Sequence, residues 1–227
     1  MKRKCWCGSQ LDYHDCHEAF DKKLKQYKKH GYLIPNHKMI KNEKQIEAIK
    51  RAAVVNNGLL DYIEEHIQIG MTTQDIDDMA VAYTSSHGGY SADLNYEGYP
   101  KSICTSVNDE VCHGIPGDYV LQDGDIINVD ATTGVNGYYA DASRMFMLGH
   151  VSEEAQRLVK VTKECLEEGM KAVKLGKVLL LISVQQLKSM PMLMDIVLSK
   201  NSVVMVLEKP CMRILMYIII HQKKRLY

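Results

Sequence analysis

Two aspartates, Asp130 and Asp141, lie symmetrically about the turn-rich segment GVNG at 134–137. Their midpoint falls between Val135 and Asn136, so a regular hairpin centred there makes them direct cross-strand partners. Like charges in that position destabilise a sheet unless a cation lies between them. Carboxylate ligands favour Mn²⁺, Mg²⁺, Fe²⁺ or Co²⁺, and two such ions about 3.5 to 4 Å apart can activate one water. The alternative, a hairpin with both acids in solvent, is equally compatible with the spacing alone.

A second group of metal-binding residue types lies near the N-terminus, where Cys5 and Cys7 are followed by Cys16 and His17. Three thiolates and an imidazole suit a closed tetrahedral zinc site. The segment is too short to bury a core alone, so we expect a structural zinc ion to hold it together. The alternative is an unstructured leader with incidental cysteines. The arrangement resembles the SEC-C motif, a short zinc-binding appendage found on several bacterial proteins.

Composition is that of a globular protein with one large domain, or one domain and a small appendage. The 227 residues are 46% hydrophobic and 25% charged, and the 28 Lys+Arg balance the 28 Asp+Glu. This balance argues against polyanion binding as the main function. It conceals two unlike parts, however, because residues 178–227 contain no glycine and are basic, whereas the preceding residues are acidic overall.

Targeting features favour the cytoplasm. The basic start runs directly into Cys5-Trp6-Cys7, without the apolar stretch of a secretory signal. Seven cysteines in such a chain predict reduced thiols or metal ligands rather than disulfides. Polar residues interrupt every apolar window of membrane-spanning length. We therefore expect a cytoplasmic protein that does not enter the membrane.

The surrounding pattern predicts the elements that position these residues. Apolar spacing and capping residues predict helices over 38–70, 72–89 and 152–174. Short β-prone runs predict strands over 103–107, 125–130 and 138–147, of which the last two flank GVNG as a hairpin.

Four ordered segments carry a more specific signal: NYEGYPKSIC at 95–104, NDEVCHGIP at 108–116, INVD at 127–130 and DASRMF at 141–146. Together they closely resemble type I methionine aminopeptidases, over about residues 38–176. The resemblance implies an α/β (α+β) pita-bread fold of the creatinase/aminopeptidase type, with two pseudo-symmetric halves around two divalent ions of the Co, Mn, Fe, Zn or Ni class. It implies removal of the initiator methionine from nascent proteins.

The resemblance also assigns site residues. Asp130 and Asp141 match the first two of five metal ligands. His113 matches a catalytic histidine that hydrogen-bonds the substrate and stabilises charge on the scissile carbonyl.

The remaining matches form a pocket for the methionine side chain. Together with His113, Tyr96, Tyr99 and Cys104 match substrate-binding residues. Asp93 occupies a position at the pocket rim that is often small or apolar in relatives.

The resemblance stops after Gly176. The family continues with a Gly-His-Gly motif, a His-Glu-Asp-Pro-like segment and two glutamates, none of which is present. Codons formed from the last base of each tail codon and the first two bases of the next permit NGYSVVxEF across 193–202, CGHGVG across 202–208 and HEDP across 211–215. Two of these hidden codons are forced to be glycine, at Met194-Asp195 and at Met205-Val206. We therefore expect that a single-base shift near 174–181 has put the tail out of frame.

The predicted organisation is a SEC-C-like zinc motif at 1–25, a linker at 26–37, the N-terminal half of a pita-bread domain at 38–177 and the out-of-frame tail at 178–227. Because two of five ligands cannot hold two ions, we expect the chain as written to be inactive or unstable.

Two other functions remain open for the parent gene. One is a non-catalytic pita-bread protein that binds peptides, and the other is an aminopeptidase of the same fold that cleaves before proline. The expected partners are nascent polypeptide N-termini and the ribosome, with no direct reading of nucleic acid. We expect a monomer.

Overall fold

The computed structural model describes residues 3–31, 34, 37 and 40–171. The predicted tail at 178–227 lies outside the described residues, as does part of the predicted linker. The helices are α1 Tyr13–Cys16, α2 Glu18–Lys29, α3 Glu43–His66, α4 Thr73–Ser86 and α5 Glu153–Lys171. The strands are β1 Tyr90–Ser91, β2 Cys104–Val107, β3 Ile126–Val135 and β4 Tyr138–Met147. No helix in this part of the chain has the length and apolar character needed to cross a membrane.

The first two helices form a small N-terminal module, defined here as residues 3–29. Its centre is the buried carboxyl group of Asp21, which accepts hydrogen bonds from Trp6 Nε1 at 3.1 Å, Tyr13 Oη at 2.8 Å and His37 Nε2 at 3.0 Å. Burial raises the pKa of Asp21, but these hydrogen bonds outweigh it and leave that pKa below its ordinary value. The predicted domain boundary at residue 25 falls inside α2.

Capping residues set where the next two helices begin. Asn42 and Gln45 form a capping box, so α3 begins at Glu43 rather than near residue 38. Thr72 caps α4 by accepting the backbone N–H of Asp75, and this confirms the cap predicted from its hydroxyl group.

Strand β3 is the centre of an antiparallel sheet. It pairs with β4 along its whole length, from Ile126↔Met147 to Val135↔Tyr138. Its other edge pairs with β2 over four residues and with β1 over two. The hairpin turn is Asn136-Gly137, and both residues have positive φ angles, 51° and 73°, as the tight two-residue turn requires.

The two faces of β3 have different roles. Ile127, Val129 and Ala131 point into the core, where they pack with residues of α3 and α4 such as Leu59 and Ile76. Because side chains alternate along a strand, Asn128, Asp130 and Thr132 point to the opposite face. The helices therefore leave that second face of the sheet to the polar residues, in an α+β arrangement like the one predicted.

Candidate active site

The hairpin brings Asp130 and Asp141 together diagonally. In the observed register Asp130 lies opposite Ser143, and Asp141 lies opposite Thr132. The prediction that the two aspartates are direct cross-strand partners is therefore wrong. The turn consists of Asn136-Gly137 alone, which moves the centre of the hairpin one residue further along the chain. A register displaced by two residues keeps both side chains on one face of the sheet.

These carboxyl groups are held in an electrostatically unfavourable environment. Burial, and then the charge of Asp130, raises the pKa of Asp141 to about 7. Burial, and then the charge of Asp93, raises the pKa of Asp130. Asp93 itself has its pKa raised to about 6, first by burial, although it accepts a hydrogen bond from the backbone of Thr132.

Within residues 40–171, none of these three aspartates forms an ion pair with a lysine or arginine. Carboxylate oxygens that are partly buried and repel each other form a donor set that a divalent cation neutralises. The chemistry of these carboxyl groups therefore fits the metal ions that the resemblance implies, and Asp130 and Asp141 are the candidate ligands.

The predicted pocket adjoins this carboxylate pair. Cys104 of β2 is the direct cross-strand partner of Asp130, so the two side chains share a face of the sheet. The Cys104 thiol is 9% exposed, and burial raises its pKa to about 11. Tyr99 lies beside the start of β2, where its hydroxyl group is 3.0 Å from the carbonyl oxygen of Ile103 and 3.1 Å from that of Gly114. Burial raises the pKa of Tyr99 as well.

His113 reaches the site from a loop between β2 and β3. It is exposed and has a φ angle of 57°. Its electrostatic interaction acts to lower the pKa values of both Asp93 and Asp141, although burial raises both overall. The next residue, Gly114, fixes the loop because its N–H donates to Ser106 Oγ at 3.1 Å and its carbonyl accepts from Thr105 N at 2.9 Å.

Tyr96 lies in a 3₁₀ turn, Tyr96–Gly98, whose first backbone N–H donates to the carbonyl of Asp93. Contact between its ring and the pocket stays a prediction. The structure thus brings together five of the six predicted active-site residues, namely Asp130, Asp141, His113, Tyr99 and Cys104.

Two residues that support the site were not identified from the sequence. Asp77 of α4 is 5% exposed and accepts the N–H groups of Ser102 at 2.8 Å and Ile103 at 3.1 Å, which fixes the start of β2 and hence of Cys104. Thr132 donates its backbone N–H to Asp93 Oδ2 at 3.0 Å and lies directly opposite Asp141. An acidic residue among uncharged residues on one helix face was the available signal for Asp77, whereas Thr132 carries no such signal.

The second predicted metal site is assembled in the N-terminal module. The ligand atoms of Cys5, Cys7, Cys16 and His17 all lie within 4.8 Å of one another. The Cys5 and Cys16 sulfurs are 3.3 and 3.0 Å from His17 Nδ1, and the Cys7 and Cys16 sulfurs are 3.7 Å apart. Hydrogen bonds with Ser9 lower the pKa of the Cys7 thiol to about 6, which favours the thiolate that a metal binds. Three sulfurs and one nitrogen fit a tetrahedral zinc ion.

Sequence comparison matches both the main domain and the N-terminal module to known protein families. Residues 47–184 match metallopeptidase family M24, and residues 3–19 match the SEC-C motif. The chain therefore belongs to metallopeptidase family M24. The match ends at residue 184, beyond the predicted boundary at 177.

Relatives within the family are methionine aminopeptidases. Methionine aminopeptidase A of Synechocystis sp. is 49% identical over 136 residues, which are 60% of this chain and 54% of that protein. The methionine aminopeptidase of Chlamydia trachomatis is 39% identical over 175 residues, covering 73% of this chain and 59% of the relative. The chain thus spans between half and two thirds of the length of these relatives.

Solved structures show the same fold. The crystal structure of methionine aminopeptidase from Rickettsia prowazekii has a TM-score of 0.64 and 36% identity, covering 73% of this chain and 64% of that chain. The Xaa-Pro dipeptidase from Bacillus anthracis has a TM-score of 0.61 at 18% identity, with 69% and 42% covered, and supports the fold alone. The described residues of the catalytic domain therefore adopt part of the pita-bread fold.

Proposed function

We propose that the chain carries one half of the active site of a methionine aminopeptidase, which removes the initiator methionine from nascent proteins in a metal-dependent reaction. The observation that carries the proposal is the shared face of the sheet on which Asp130 and Asp141 adjoin Cys104. The named relatives are methionine aminopeptidases, which supports the same substrate.

The pocket chemistry favours methionine as the residue that is removed. A thioether is flexible and polarizable, and it contacts aromatic rings and thiols favourably. Tyr99 and Cys104 supply such a lining beside the carboxylate pair. Tyr96 is proposed to complete it.

His113 is the proposed catalytic residue of this half of the site. It lies on an exposed loop that Gly114 fixes beside β2, where a substrate can reach it. A ring N–H in that place can donate a hydrogen bond to the oxygen of the scissile carbonyl, on which negative charge develops.

Asp130 and Asp141 are the proposed metal ligands. A pair of divalent ions of the Co, Mn, Fe, Zn or Ni class supplies, when bound, an activated water for attack on the first peptide bond. In the complete site the two aspartates would hold the ions together with the remaining ligands, and Asp141, whose pKa is raised to about 7, would release its proton on binding.

The N-terminal module is proposed to bind a structural zinc ion through Cys5, Cys7, Cys16 and His17. Its compact ligand geometry supports this role. The proposed setting is the cytoplasm, with nascent polypeptide N-termini as substrates, the ribosome as a further partner and a monomeric enzyme.

Residues 178–227 are proposed to be read out of frame, which leaves the 227-residue form without the remaining ligands and inactive. Nucleotide sequencing across codons 174–181 tests this proposal. A second frame that encodes Gly-His-Gly supports it, and an intact base count with no such frame overturns it.

Peptide assays on the frame-restored protein test the proposed substrate. With added Co²⁺ or Mn²⁺, we expect release of methionine from Met-Ala peptides and no cleavage of X-Pro peptides. Preferential X-Pro cleavage would indicate a proline-type enzyme instead. Measuring the divalent metal content of the purified protein distinguishes an enzyme from a non-catalytic peptide-binding protein, because the latter has no need to retain divalent ions.

A further inference from the structure

A second cavity lies beside strand β2, on the face of the sheet opposite the proposed metal centre. Its volume is about 590 Å³, within the range typical of ligand pockets. Thr105 and Val107 line it, whereas the intervening Ser106 does not. Because side chains alternate along a strand, Thr105 points away from the face that carries Cys104 and Asp130. The cavity is therefore separate from the pocket that adjoins the carboxylate pair.

The side-chain hydroxyl group of Thr105 is buried at this cavity. The residue is 2% exposed, and its Oγ1 forms no hydrogen bond within the part of the chain that the structure describes. The backbone N–H of Thr105 is paired, since it donates to the carbonyl oxygen of Gly114 at 2.9 Å. A buried hydroxyl group without a partner costs free energy, which a ligand recovers when it pairs with that group. The hydroxyl group of Thr105 therefore points to a polar ligand.

The opening of the cavity is acidic. Asp109, Glu110 and Asp118 line it, and all three are exposed. The side chain of Glu110 is held in place, because its Oε2 accepts the backbone N–H of Val107 at 3.1 Å. None of the described lysines and arginines forms an ion pair with any of these carboxylates. The rim therefore attracts a cation and repels an anion.

The arrangement suits an organic cation better than a metal ion. Within the described residues, the N-terminal cysteine–histidine cluster is the only group of three or more potential ligands whose atoms lie within 4.8 Å of one another. The three rim carboxylates are thus too dispersed to surround one ion. Val107 and Ile115 give the cavity apolar walls. Such walls beside a charged rim suit a long basic side chain, whose methylene groups cover apolar surface while its charged end reaches polar groups.

We propose that this cavity binds an arginine side chain of a polypeptide. A guanidinium group has five N–H donors and no acceptor, so it can donate to Thr105 Oγ1 and to the rim carboxylates together. Arginine fits better than lysine, because its planar group holds several donors in fixed directions. The inference does not depend on the proposed metal centre, since neither Asp130 nor Asp141 takes part in it.

Binding of N-acetylarginine amide to the full 227-residue chain tests this proposal, in the presence of chelator. We expect saturable shifts in the backbone amide NMR signals of Thr105, Gly117 and Tyr119, which line the cavity. N-acetylcitrulline amide has nearly the same shape without the charge, and should bind at least about tenfold more weakly because charge-assisted hydrogen bonds are lost. Equal binding of the two compounds, or no saturable shift at the cavity, would overturn the proposal.

Thr105→Val separates ligand binding from folding. The substitution keeps a β-branched side chain and removes the unpaired hydroxyl group, so we expect the variant to unfold at a higher urea concentration. The same variant should bind N-acetylarginine amide about tenfold more weakly, because the ligand loses one acceptor. A variant that binds as tightly as the unsubstituted chain, or that unfolds at a lower urea concentration, would contradict the role of this hydroxyl group and overturn the proposal.

Asp118→Asn tests the acidic rim. Loss of one nearby charge should weaken binding of N-acetylarginine amide about fivefold. Asp78→Asn is the matched control, because it removes the same charge from an exposed residue that does not line the cavity, and it should leave binding unchanged. Equal losses in the two variants would reduce the effect to net charge and would overturn a local site.

Discussion

Cys104 and Asp130 lie directly opposite each other on β2 and β3, so the floor of the proposed methionine pocket and the proposed metal centre share one strand register. A change that shifts β2 therefore disturbs both at once. The start of β2 is fixed by Asp77, on a helix behind the sheet.

Replacement of Asp77 tests this dependence. Asp77→Ala leaves two buried N–H groups, of Ser102 and Ile103, without an acceptor, and we expect it to lower the free energy of unfolding by about 2–4 kcal/mol. Urea unfolding followed by circular dichroism measures the change. Asp78→Ala, at the neighbouring exposed residue, is the matched control and should cost little. Equal effects of the two substitutions would show that Asp77 does not hold β2.

The loop that carries His113 depends on the absence of a side chain at Gly114. A Cβ atom at this position would lie 2.1 Å from the carbonyl oxygen of Thr105, so Gly114→Ala must displace the backbone. We expect a loss of about 1–3 kcal/mol in unfolding free energy. Gly117→Ala is the control, because its nearest neighbouring atom is 3.9 Å from a Cβ there. A Gly114→Ala protein as stable as Gly117→Ala would contradict the observed close approach.

The carboxylate pair predicts a pH-dependent stability in the absence of divalent ions. The pKa of Asp141 is about 7 in the folded chain, through burial and then Asp130, and its ordinary value is 3.8. The folded chain therefore binds more protons than the unfolded chain between about pH 4 and pH 7, and the unfolding free energy falls as pH rises through that window.

Asp141→Asn removes this titration. At pH 8 we expect the variant to be more stable than the unsubstituted metal-free chain by about 0.5–1 kcal/mol, because a like-charge repulsion is lost. At pH 5 the gain should shrink. Urea unfolding at both pH values, in the presence of chelator, measures it, and a gain that is equal at pH 5 and pH 8 would contradict the raised pKa.

The zinc site in the N-terminal module predicts a defined metal stoichiometry. We expect one zinc ion per chain by elemental analysis, and Cys16→Ser should lose it because the sulfur of Cys16 lies next to both Cys7 and His17. Cys112→Ser, at an exposed cysteine outside the cluster, should keep the ion. Retention of zinc by Cys16→Ser would remove this residue from the ligand set.

Local chemistry made several elements predictable from the sequence. The hydroxyl cap of α4 at Thr72 follows from one residue type at a helix start, and the cysteine cluster follows from ligand types at a short spacing. The face of the hairpin that carries both aspartates was also predictable, because a register error of two residues leaves every side chain on the same face.

The register itself was not predictable, because GVNG offers more than one turn and only the backbone angles of Asn136 and Gly137 select the tight one. Asp77 accepts hydrogen bonds from Ser102 and Ile103, which lie 25 and 26 positions further along the chain. Thr132 donates to Asp93, which lies 39 positions before it. Such long-range contacts leave no periodicity in a single sequence. Asp93 was recognised as unusual at the pocket rim, but its hydrogen bond with the backbone of Thr132 forms only in the folded sheet.

Methionine release by the frame-restored protein tests the central claim most directly. With added Co²⁺ or Mn²⁺, we expect a Met-Ala peptide to lose its methionine, and Asp141→Asn to reduce the rate at least about 100-fold, as expected when a group that holds the catalytic metal is removed. A folded, metal-loaded protein that releases no methionine, or an Asp141→Asn variant as active as the unsubstituted enzyme, would contradict the assignment of this face as the catalytic centre.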